Sequence, residues 1–310
     1  MHLARTIRDF PYELVAAGSV ATIGSYDGVH LGHQRLLERV LDGAAESGLP
    51  SVVMSFEPMP QEFFLAASPP ARLMRFREKF EALADLGIDI FFCPRFDDGI
   101  KSIAADTFIR RILVHTLNVR HLVVGDDFRF AARRQGTLDH LQRAGRALAF
   151  EIEQLPSVVL AGERVSSTAI RAALASGDLD RAALLLGRPY RMSGKVIRGE
   201  RIGRELGFPT ANVKLMRRQS AVMGIFAVRV SGLDGDVYDA VASVGTRPTF
   251  DGTRPLLEVH LFDFGEDIYG RYIHVDFVAR LRSEEKFDDI DELVAQMHRD
   301  SAQAREILAA

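Results

Sequence analysis

The sequence has little cysteine, no strong charge of one sign and no long hydrophobic run, and each absence excludes a class of protein. Cys93 is the only cysteine among 310 residues, so no disulfide can form within the chain. The net charge of −3 offers no basic surface for nucleic acid or anionic membranes. No window approaches the ~20 apolar residues of a membrane span, and the N-terminus lacks the apolar core of a signal peptide. We therefore expect a cytoplasmic protein that binds neither nucleic acid nor membrane and is a monomer or self-associates weakly.

The chain is long enough for two domains, because 310 residues with 47% hydrophobic and 26% charged residues are typical of globular proteins. Its first half alternates β-prone runs with helical patterns. Strands are predicted at residues 20–23, 52–56, 88–93 and 121–124, and helices at 72–86 and 104–117. This alternation predicts a parallel sheet covered by helices, which binds ligands at the carboxyl ends of its strands. Cys93 falls in the third run and is predicted to be buried.

The second half follows a different pattern. Two short helices are predicted first, one capped by Ser167 and the next by Asp178. β-Prone runs follow at residues 225–230, 237–244, 256–262 and 273–278, and a helix closes the chain. Short strands separated by Gly, Asp and Pro predict an antiparallel barrel or sandwich. We therefore predict an α/β domain at residues 1–186 and a β domain at residues 187–310.

The densest group of functional residue types lies between the first strand and the first helix. It reads Gly24-Ser25-Tyr26-Asp27-Gly28-Val29-His30-Leu31-Gly32-His33. Glycines let a backbone approach a phosphate closely, and the amides and dipole of the following helix attract an anion. His30 and His33 are three residues apart, so both imidazoles can point at one anionic group. A zinc site is the weaker interpretation, because no third or fourth ligand stands nearby with suitable spacing.

This segment resembles the HxGH signature of the nucleotidyltransferase superfamily and, more closely, the GxFDGxHxGH signature of bacterial bifunctional flavin-synthesis proteins. Three further segments resemble motifs of that family in the same order: Phe56-Glu57-Pro58-Met59-Pro60, Gly125-Asp126-Asp127-Phe128-Arg129-Phe130 and Ser166-Ser167-Thr168-Ala169-Ile170-Arg171. The resemblance implies a Rossmann-like domain that transfers the adenylyl group of ATP to FMN. An arginine in the first turn of a helix capped by serine also suits a triphosphate in its own right.

The resemblance also implies roles for single residues. His30 and His33 would serve the phosphates in the transition state, and Ser167 with Arg171 would hold the leaving pyrophosphate. The implied sites comprise, for ATP and its phosphates, Gly24, Asp27, Gly28, Gly32, Ser167, Thr168 and Arg171, and for the flavin, Phe56, Pro58, Asp127 and Phe128. Three residues depart from the family pattern: Tyr26 stands in place of Phe, Met59 in place of His and Ala131 in place of Gly.

A second phosphate-binding loop is predicted in the second half. Residues 199–212 read G-E-R-I-G-R-E-L-G-F-P-T-A-N, although a polar β-hairpin turn has a similar composition. Thr210 and Asn212 carry short oxygen-bearing side chains suited to Mg²⁺ and its nucleotide. The string resembles the GxxRGRxLGFPTAN signature of riboflavin kinases, with Ile202 where an arginine is common. That resemblance implies a nucleotide site and a magnesium site, formed respectively by Gly199, Arg204, Gly207 and Pro209, and by Thr210 and Asn212.

A strand in the second half carries a candidate catalytic base. Within residues 256–260, Leu257 and Val259 alternate with Glu258 and His260, so the two pairs face opposite sides. The neighbouring segments G-T-R-P-T-F and Tyr-Gly follow the riboflavin-kinase order. The resemblance implies a six-stranded antiparallel barrel with a C-terminal helix, in which Glu258 is the general base for the 5′-hydroxyl of riboflavin.

The two resemblances together cover residues 20–300 and imply a bifunctional enzyme. It would phosphorylate riboflavin to FMN with ATP and Mg²⁺, releasing ADP, and then convert FMN and ATP to FAD and pyrophosphate. Three alternatives are a kinase with a slow or inactive N-terminal module, a tRNA-binding HxGH module and a regulatory flavin-binding protein. The intact HxGH histidines and Arg171 argue against the first, and the absence of a basic domain argues against the second. The intact set of Thr210, Asn212 and Glu258 argues against the third.

Overall fold

The chain folds as two compact units. The structure is a computed structural model and describes residues 1–199, 203, 206–249 and 252–309, the side chains of 247–249 and 252–254 excepted. Unit 1 comprises Met1–Pro70 and Phe76–Val165, and unit 2 comprises Ala71–Arg75 and Ser166–Ala310. Within the described ranges, no helix has the length and apolar character needed to cross a membrane.

Unit 1 is built on a six-stranded parallel sheet. Its strands are β1 His2–Ala4, β2 Ser19–Ile23, β3 Ser51–Met54, β4 Ile90–Phe92, β5 Val119–Gly125 and β6 Glu151–Leu155. They lie in the order β1-β4-β3-β2-β5-β6, and every neighbouring pair is parallel. All residues of β2, β3 and β4 are buried, as expected of strands in a sheet covered on both faces. The predicted parallel sheet is confirmed.

Helices cover this sheet, and two of them differ from the prediction. The helices are α1 Leu31–Ser47, α2 Pro60–Phe64, α3 Phe76–Asp85, α4 Asp98–Lys101, α5 Ala105–Phe108 and α6 Leu138–Leu148, and a hairpin of β7 Val159–Leu160 and β8 Glu163–Arg164 follows β6. The helix predicted from residue 72 begins at Phe76, and the segment before it belongs to unit 2. The helix predicted at 104–117 changes after Phe108 to π-type hydrogen bonding over Ile109–Thr116. Cys93 is buried, as predicted.

Unit 2 is built on a closed antiparallel barrel. Its strands are β9 Tyr190–Ile197, β10 Ala211–Lys214, β11 Gly224–Leu233, β12 Asp236–Thr249, β13 Gly252–Leu261 and β14 Tyr272–Arg282. They close in the order β10-β13-β12-β11-β14-β9, with each neighbouring pair antiparallel. Alternate residues of β14 from Ile273 to Phe277 are buried, which is the period that places one face inside a barrel. The six-stranded barrel is confirmed, and the sandwich alternative is wrong.

The described part of unit 2 also contains the helices α7 Ser167–Ser176, α8 Leu179–Leu186 and α9 Ile290–Ala309. The N-cap of α7 is Ser166 rather than the predicted Ser167, because the Ser166 hydroxyl accepts the N–H of Ala169 at 3.1 Å. The C-terminal helix α9 buries Ala304 and Leu308 against the barrel. Since the compact units divide after Val165, α7 and α8 pack with the barrel. The predicted boundary between residues 186 and 187 separates the two catalytic domains rather than the two compact units, and it stays a prediction.

Candidate active sites

The Gly-rich turn between β2 and α1 has a shape that its glycines permit. Gly28 has a φ angle of 90°, in the left-handed region that favours glycine. A Cβ on Gly24 would lie 3.0 Å from the ring of Tyr26, and a Cβ on Gly32 would lie 3.3 Å from the imidazole of His30. Gly24 and Gly32 therefore make room for the aromatic rings of the turn itself. Asp27, another predicted member of this site, is 1% exposed and so is fixed within the turn.

The two histidines of this turn are stacked. Their ring centroids are 3.6 Å apart and the ring planes differ by 16°. His30 is the N-cap of α1, and its Nδ1 accepts the N–H of His33 at 3.3 Å. In the neutral His30 ring the hydrogen is therefore on Nε2. Nδ1 of His33 is buried, and among the described residues it has no hydrogen-bond partner. A buried polar atom in this state is a candidate for contact with a ligand.

Burial keeps His33 neutral. Burial lowers the pKa of His33 well below its usual range, and the charges of His30 and Lys79 lower it further. The ring of Tyr26 lies 5.0 Å from the His33 ring, and its hydroxyl shares a hydrogen bond with Oγ1 of Thr22 at 2.7 Å. Burial also raises the pKa of Tyr26, so the phenol is neutral. The hydroxyl that distinguishes Tyr26 from the family's Phe is thus satisfied inside the core.

Unit 1 is expected to lose stability at acidic pH because of His33. The unfolded chain takes up a proton at this residue near its unperturbed pKa of about 6.5, whereas the depressed pKa prevents this in the folded protein. The free energy of unfolding then falls as pH decreases below that value, by at most about 1.4 kcal/mol per pH unit from this group. Urea unfolding at several values between about pH 7.5 and 5.5 measures the effect. His33→Leu should lose less stability over this range, and an equal loss would contradict the assignment.

Phe56 belongs to a cluster of four phenylalanine rings. The Phe96 ring lies 5.4 Å from that of Phe56, 5.3 Å from Phe63 and 5.8 Å from Phe64, each pair edge-to-face. Pro58 follows Phe56 closely, joined to Glu57 by a cis peptide bond. Phe63 and Phe96 were missed as candidate site residues, because they meet Phe56 only through the fold. Such a cluster offers apolar ring faces and edges to a flat aromatic ligand.

Met59, one of the three departures, is the N-cap residue of α2. Its side chain is 4% exposed, and its backbone N–H donates to the Glu62 carboxylate at 3.0 Å. A thioether at this buried position leaves no polar side-chain group unsatisfied, but it also offers no N–H donor to a ligand.

Asp127 and Phe128 are neighbours in the loop after β5 but differ in exposure. The carboxylate of Asp127 accepts a hydrogen bond from Nη2 of Arg164 at 2.7 Å, and its side chain is 69% exposed. Phe128 is half-buried, and its ring stacks on Phe130 with centroids 5.8 Å apart. The Phe128 ring is therefore partly sheltered, whereas the Asp127 carboxylate is held at the surface by an ion pair with Arg164.

The same loop contains Ala131, whose replacement by glycine is expected to stabilise unit 1. Ala131 has φ 63° and ψ −174°, a region nearly restricted to glycine that costs other residues about 1–3 kcal/mol. Glycine has more freedom in the unfolded chain, so we expect a net gain of about 1 kcal/mol in the free energy of unfolding. Ala149→Gly is the matched control, because Ala149 has the ordinary left-handed angles φ 58° and ψ 50°. Urea titrations in which the Ala131 variant gains no more than the control would contradict this prediction.

The predicted pyrophosphate residues lie in unit 2, at the N-terminus of α7. Ser167 and Thr168 are its first two residues, where backbone N–H groups lack partners within the helix. Nε of Arg171 donates to the carbonyl oxygen of Ala71 at 2.7 Å, which orients the guanidinium. The structure brings these three residues together in unit 2 and the two histidines together in unit 1.

A cavity of about 510 Å³ in unit 2 brings together the predicted kinase residues. Asn212 of β10 pairs with Glu258 of β13, which pairs with Ser243 of β12, so these side chains lie side by side across three strands. Thr210, just before β10, lines the same cavity. The apolar part of its lining comprises Leu206, Phe208, Ile225, Val241, Ala242, Leu256, Phe287, Leu293 and Met297. The cavity thus combines apolar walls with a few convergent polar groups, as ligand sites do.

Described residues of the loop before β10 pack closely on this site. A Cβ on Gly199 would collide with the side-chain amide of Asn212, so the glycine allows that amide to sit against the backbone. The carbonyl oxygen of Pro209 accepts a hydrogen bond from Nδ1 of His260 at 2.9 Å. Gly207 has a φ angle of 84°, which favours glycine. Arg204 lies outside the described residues.

Charged residues that the sequence patterns did not single out also line the cavity. Arg282 donates to Asp300 from Nε at 3.0 and 3.1 Å and from Nη2 at 2.8 Å. Burial raises the pKa of Glu284, and Gly245 packs against the Glu284 carboxylate so closely that a Cβ would collide with it. The run of charged residues Glu284-Glu285-Lys286, which follows β14, was the available signal in the sequence.

The donor set of the cavity suits magnesium in the presence of a nucleotide. In the described part of the chain, no group of three or more His, Cys, Asp or Glu could hold a metal ion. Mg²⁺ commonly takes only one or two protein oxygens and completes its shell with phosphates and water. The Thr210 hydroxyl and the Asn212 amide oxygen, beside Glu258, fit that requirement.

Two family models match successive parts of the chain. Residues 13–169 match the family model described as FAD synthetase, and residues 186–308 match the model described as riboflavin kinase.

Curated relatives match nearly the whole chain. Proteins of Haemophilus influenzae, Escherichia coli strain K12 and Pseudomonas fluorescens are 44%, 47% and 45% identical to it. The matches cover 94%, 93% and 94% of this chain and 94%, 92% and 94% of the relatives, and each relative is named bifunctional riboflavin kinase/FMN adenylyltransferase. A solved structure from Streptococcus pneumoniae, described as a macrolide-efflux protein, is 30% identical with a TM-score of 0.81 and covers 98% of both chains.

Proposed function

The chain belongs to the family of bifunctional riboflavin kinases/FMN adenylyltransferases, and on this premise we propose which of its residues carry each reaction. It is an enzyme with two activities: it phosphorylates riboflavin to FMN, and it transfers an adenylyl group to FMN to give FAD. The observation that supports the residue assignment best is the convergence of Thr210, Asn212 and Glu258 on one cavity of the barrel.

Glu258 is the general base of the kinase reaction. The 5′-hydroxyl oxygen of riboflavin attacks the γ-phosphorus of ATP, ADP leaves, and the hydroxyl proton passes to the Glu258 carboxylate. The cavity volume of about 510 Å³ lies within the usual range for a small-molecule site, and its apolar lining suits the flavin ring system.

Thr210 and Asn212 hold magnesium together with the nucleotide. When bound, Mg²⁺ would neutralise the negative charge that develops on the phosphates. Gly199 keeps the Asn212 amide in place, and the backbone around Gly207 and Pro209 lies next to the same cavity residues. Arg204 is proposed as a phosphate contact from the sequence alone.

His30 and His33 act in adenylyl transfer. A phosphate oxygen of FMN attacks the α-phosphorus of ATP and pyrophosphate leaves, so the protein needs only to align the groups and stabilise the developing charge. The neutral imidazole of His33, stacked on the ring of His30 in a turn shaped by Gly24, Gly28 and Gly32, can donate a hydrogen bond to a phosphate oxygen.

The remaining predicted residues bind the pyrophosphate and the flavin. Ser167, Thr168 and Arg171 hold the leaving pyrophosphate through helix amides and a guanidinium. Phe56 and Phe128, with Pro58, contact the flavin. Asp27 belongs to the ATP phosphate site at the turn, and Asp127, whose carboxylate accepts a hydrogen bond from Arg164, also contacts the flavin. The domain boundary at 186 and 187, the cytoplasmic location and the monomeric or weakly associating state stay predictions.

A chromatographic time course tests the assignment as a whole. Purified protein is incubated with riboflavin, ATP and Mg²⁺, and FMN should rise and then give way to FAD. FMN that accumulates without FAD would support the kinase activity alone. Met59 and Ala131 would then be the first candidates for the cause of the missing adenylyl transfer. Omitting Mg²⁺ in the presence of a chelator should stop FMN formation, and undiminished activity would contradict the proposed magnesium site.

A further inference from the structure

Lys79 is a buried lysine that the two reactions leave unexplained. It lies on α3 and is 2% exposed. Its Nζ donates to the carbonyl oxygen of Ser25 and lies 3.5 Å from Oγ of Ser55. The Ser55 hydroxyl in turn donates to the same carbonyl oxygen at 3.3 Å. Lysine is almost never fully buried, because an ammonium loses much hydration free energy in the interior.

The position of these contacts in the fold links Lys79 to the adenylyl-transfer residues. Ser25 is part of the Gly-rich turn that follows β2, and Ser55 follows β3, the neighbouring parallel strand. Lys79 therefore binds the carboxyl ends of two adjacent strands, at the edge of the sheet where such folds bind their ligands. Ser55 also immediately precedes Phe56, the proposed flavin contact.

We propose that Lys79 is a positioning residue for adenylyl transfer: its ammonium fixes the Ser25 carbonyl, and its buried positive charge favours polyphosphate at the Gly-rich turn. The proposal rests on the role assigned above to the turn and its histidines. A buried charge acts on phosphates with little screening by solvent, and it requires no rearrangement during the reaction.

The charge of Lys79 also acts on His33. Among the described residues, the groups that act on or lie against His33 include the His30 imidazole, the Lys79 ammonium and the ring of Tyr26, whose hydroxyl is neutral. Burial, His30 and Lys79 all lower the pKa of His33. Removal of the ammonium should therefore raise that pKa, so that protonation of His33 begins at a higher pH. In the proposed reaction, neutral His33 donates a hydrogen bond to phosphate from its single N–H group.

The test uses Lys79→Met, which keeps the apolar length of the side chain and removes its charge, and Lys79→Arg, which keeps the charge. Lys101→Met is the matched control, because Lys101 is an exposed lysine of unit 1. We expect the methionine variant to lower kcat for FAD formation from FMN by about 30-fold or more, with KM for FMN changed by less than about threefold. Riboflavin phosphorylation should be unchanged, and Lys79→Arg should recover a substantial part of the lost kcat.

Two measurements separate this role from a purely structural one. In Lys79→Met, the acidic limb of kcat against pH for FAD formation should move to higher pH, and histidine NMR should show a raised pKa for His33. Ser55→Ala, which removes one contact but no charge, should lower kcat by only a few fold and leave the His33 titration unchanged. It also keeps the proposal testable if the methionine variant does not fold.

Either of two results overturns the inference. One is a kcat for FAD formation by Lys79→Met within about threefold of wild type. The other is an equal loss of both activities with no shift in the His33 titration, which is the result expected of a structural lysine. If wild-type protein formed no FAD under these conditions, the proposed adenylyl-transfer roles would fail instead, so the two failures are distinguishable.

Discussion

Replacing Glu258 with glutamine is expected to lower the rate of FMN formation by about 10³-fold, while FAD formation from supplied FMN continues at the wild-type rate. Glutamine keeps the size of the side chain and its place between Asn212 and Ser243, but it cannot accept the hydroxyl proton. The residues proposed for adenylyl transfer do not include this carboxylate, so that reaction should not depend on it. Initial rates measured separately with riboflavin and with FMN give both numbers.

Glu285→Gln is the matched control for this prediction. Glu285 borders the same cavity and the substitution removes the same charge, but its side chain is 59% exposed. We expect changes of less than about threefold in either activity. FMN formation by Glu258→Gln within about tenfold of wild type would remove Glu258 from the role of base. Loss of both activities would show that the two reactions are not independent.

Replacing His33 with leucine is expected to have the opposite pattern. FAD formation from FMN should fall by about 10²–10³-fold, the usual effect of removing one hydrogen-bond donor from a transition state. Leucine fills a similar volume beside the His30 and Tyr26 rings but cannot donate to phosphate. Because the lost hydrogen bond forms in the transition state, we expect kcat to fall strongly and KM for FMN to change little.

His115→Gln is the control for the histidine prediction. His115 is an exposed histidine in the last turn of the π-helix and is not among the proposed site residues. Both activities of this variant should match wild type. Unchanged FAD formation by His33→Leu would exclude His33 as a catalytic residue, and a parallel loss of FMN formation would indicate damage to the whole chain.

Much of the fold could be predicted because it is encoded locally. The buried runs of β2, β3 and β4 are apolar throughout, which marks a parallel sheet covered on both faces. In β13 the alternation of apolar and polar residues correctly predicts that Leu257 and Val259 are buried on the face opposite to Glu258. The short edge strand β1 and the edge strand β6 were missed, since an edge strand carries a weaker apolar signal.

The candidate sites were predicted less completely, for a physical reason. Residues within one motif, such as His30 and His33, are close in space because they are close in sequence. Phe96 and Lys79 reach their partners through tertiary packing, and no local pattern distinguishes Lys79 from a lysine exposed on an amphipathic helix. The shift of the helix cap from Ser167 to Ser166 has a similar origin, because either serine could accept the amide and only the backbone geometry decides.

The assignment of Ala71–Arg75 to unit 2 means that no single proteolytic cut can release that unit intact. Arg217, which is 6% exposed, donates from Nη1 to the carbonyl oxygens of Arg72 and Leu73. Arg75 donates from Nη2 to the carbonyl oxygen of Ser193 and to the hydroxyl of Tyr272 at 2.8 Å. A fragment containing only the barrel and its helices would lose the carbonyl oxygens that accept hydrogen bonds from Arg217, and also the contacts of Arg75 with Ser193 and Tyr272. Separated halves of this enzyme should therefore be judged by their folding before their activities are compared.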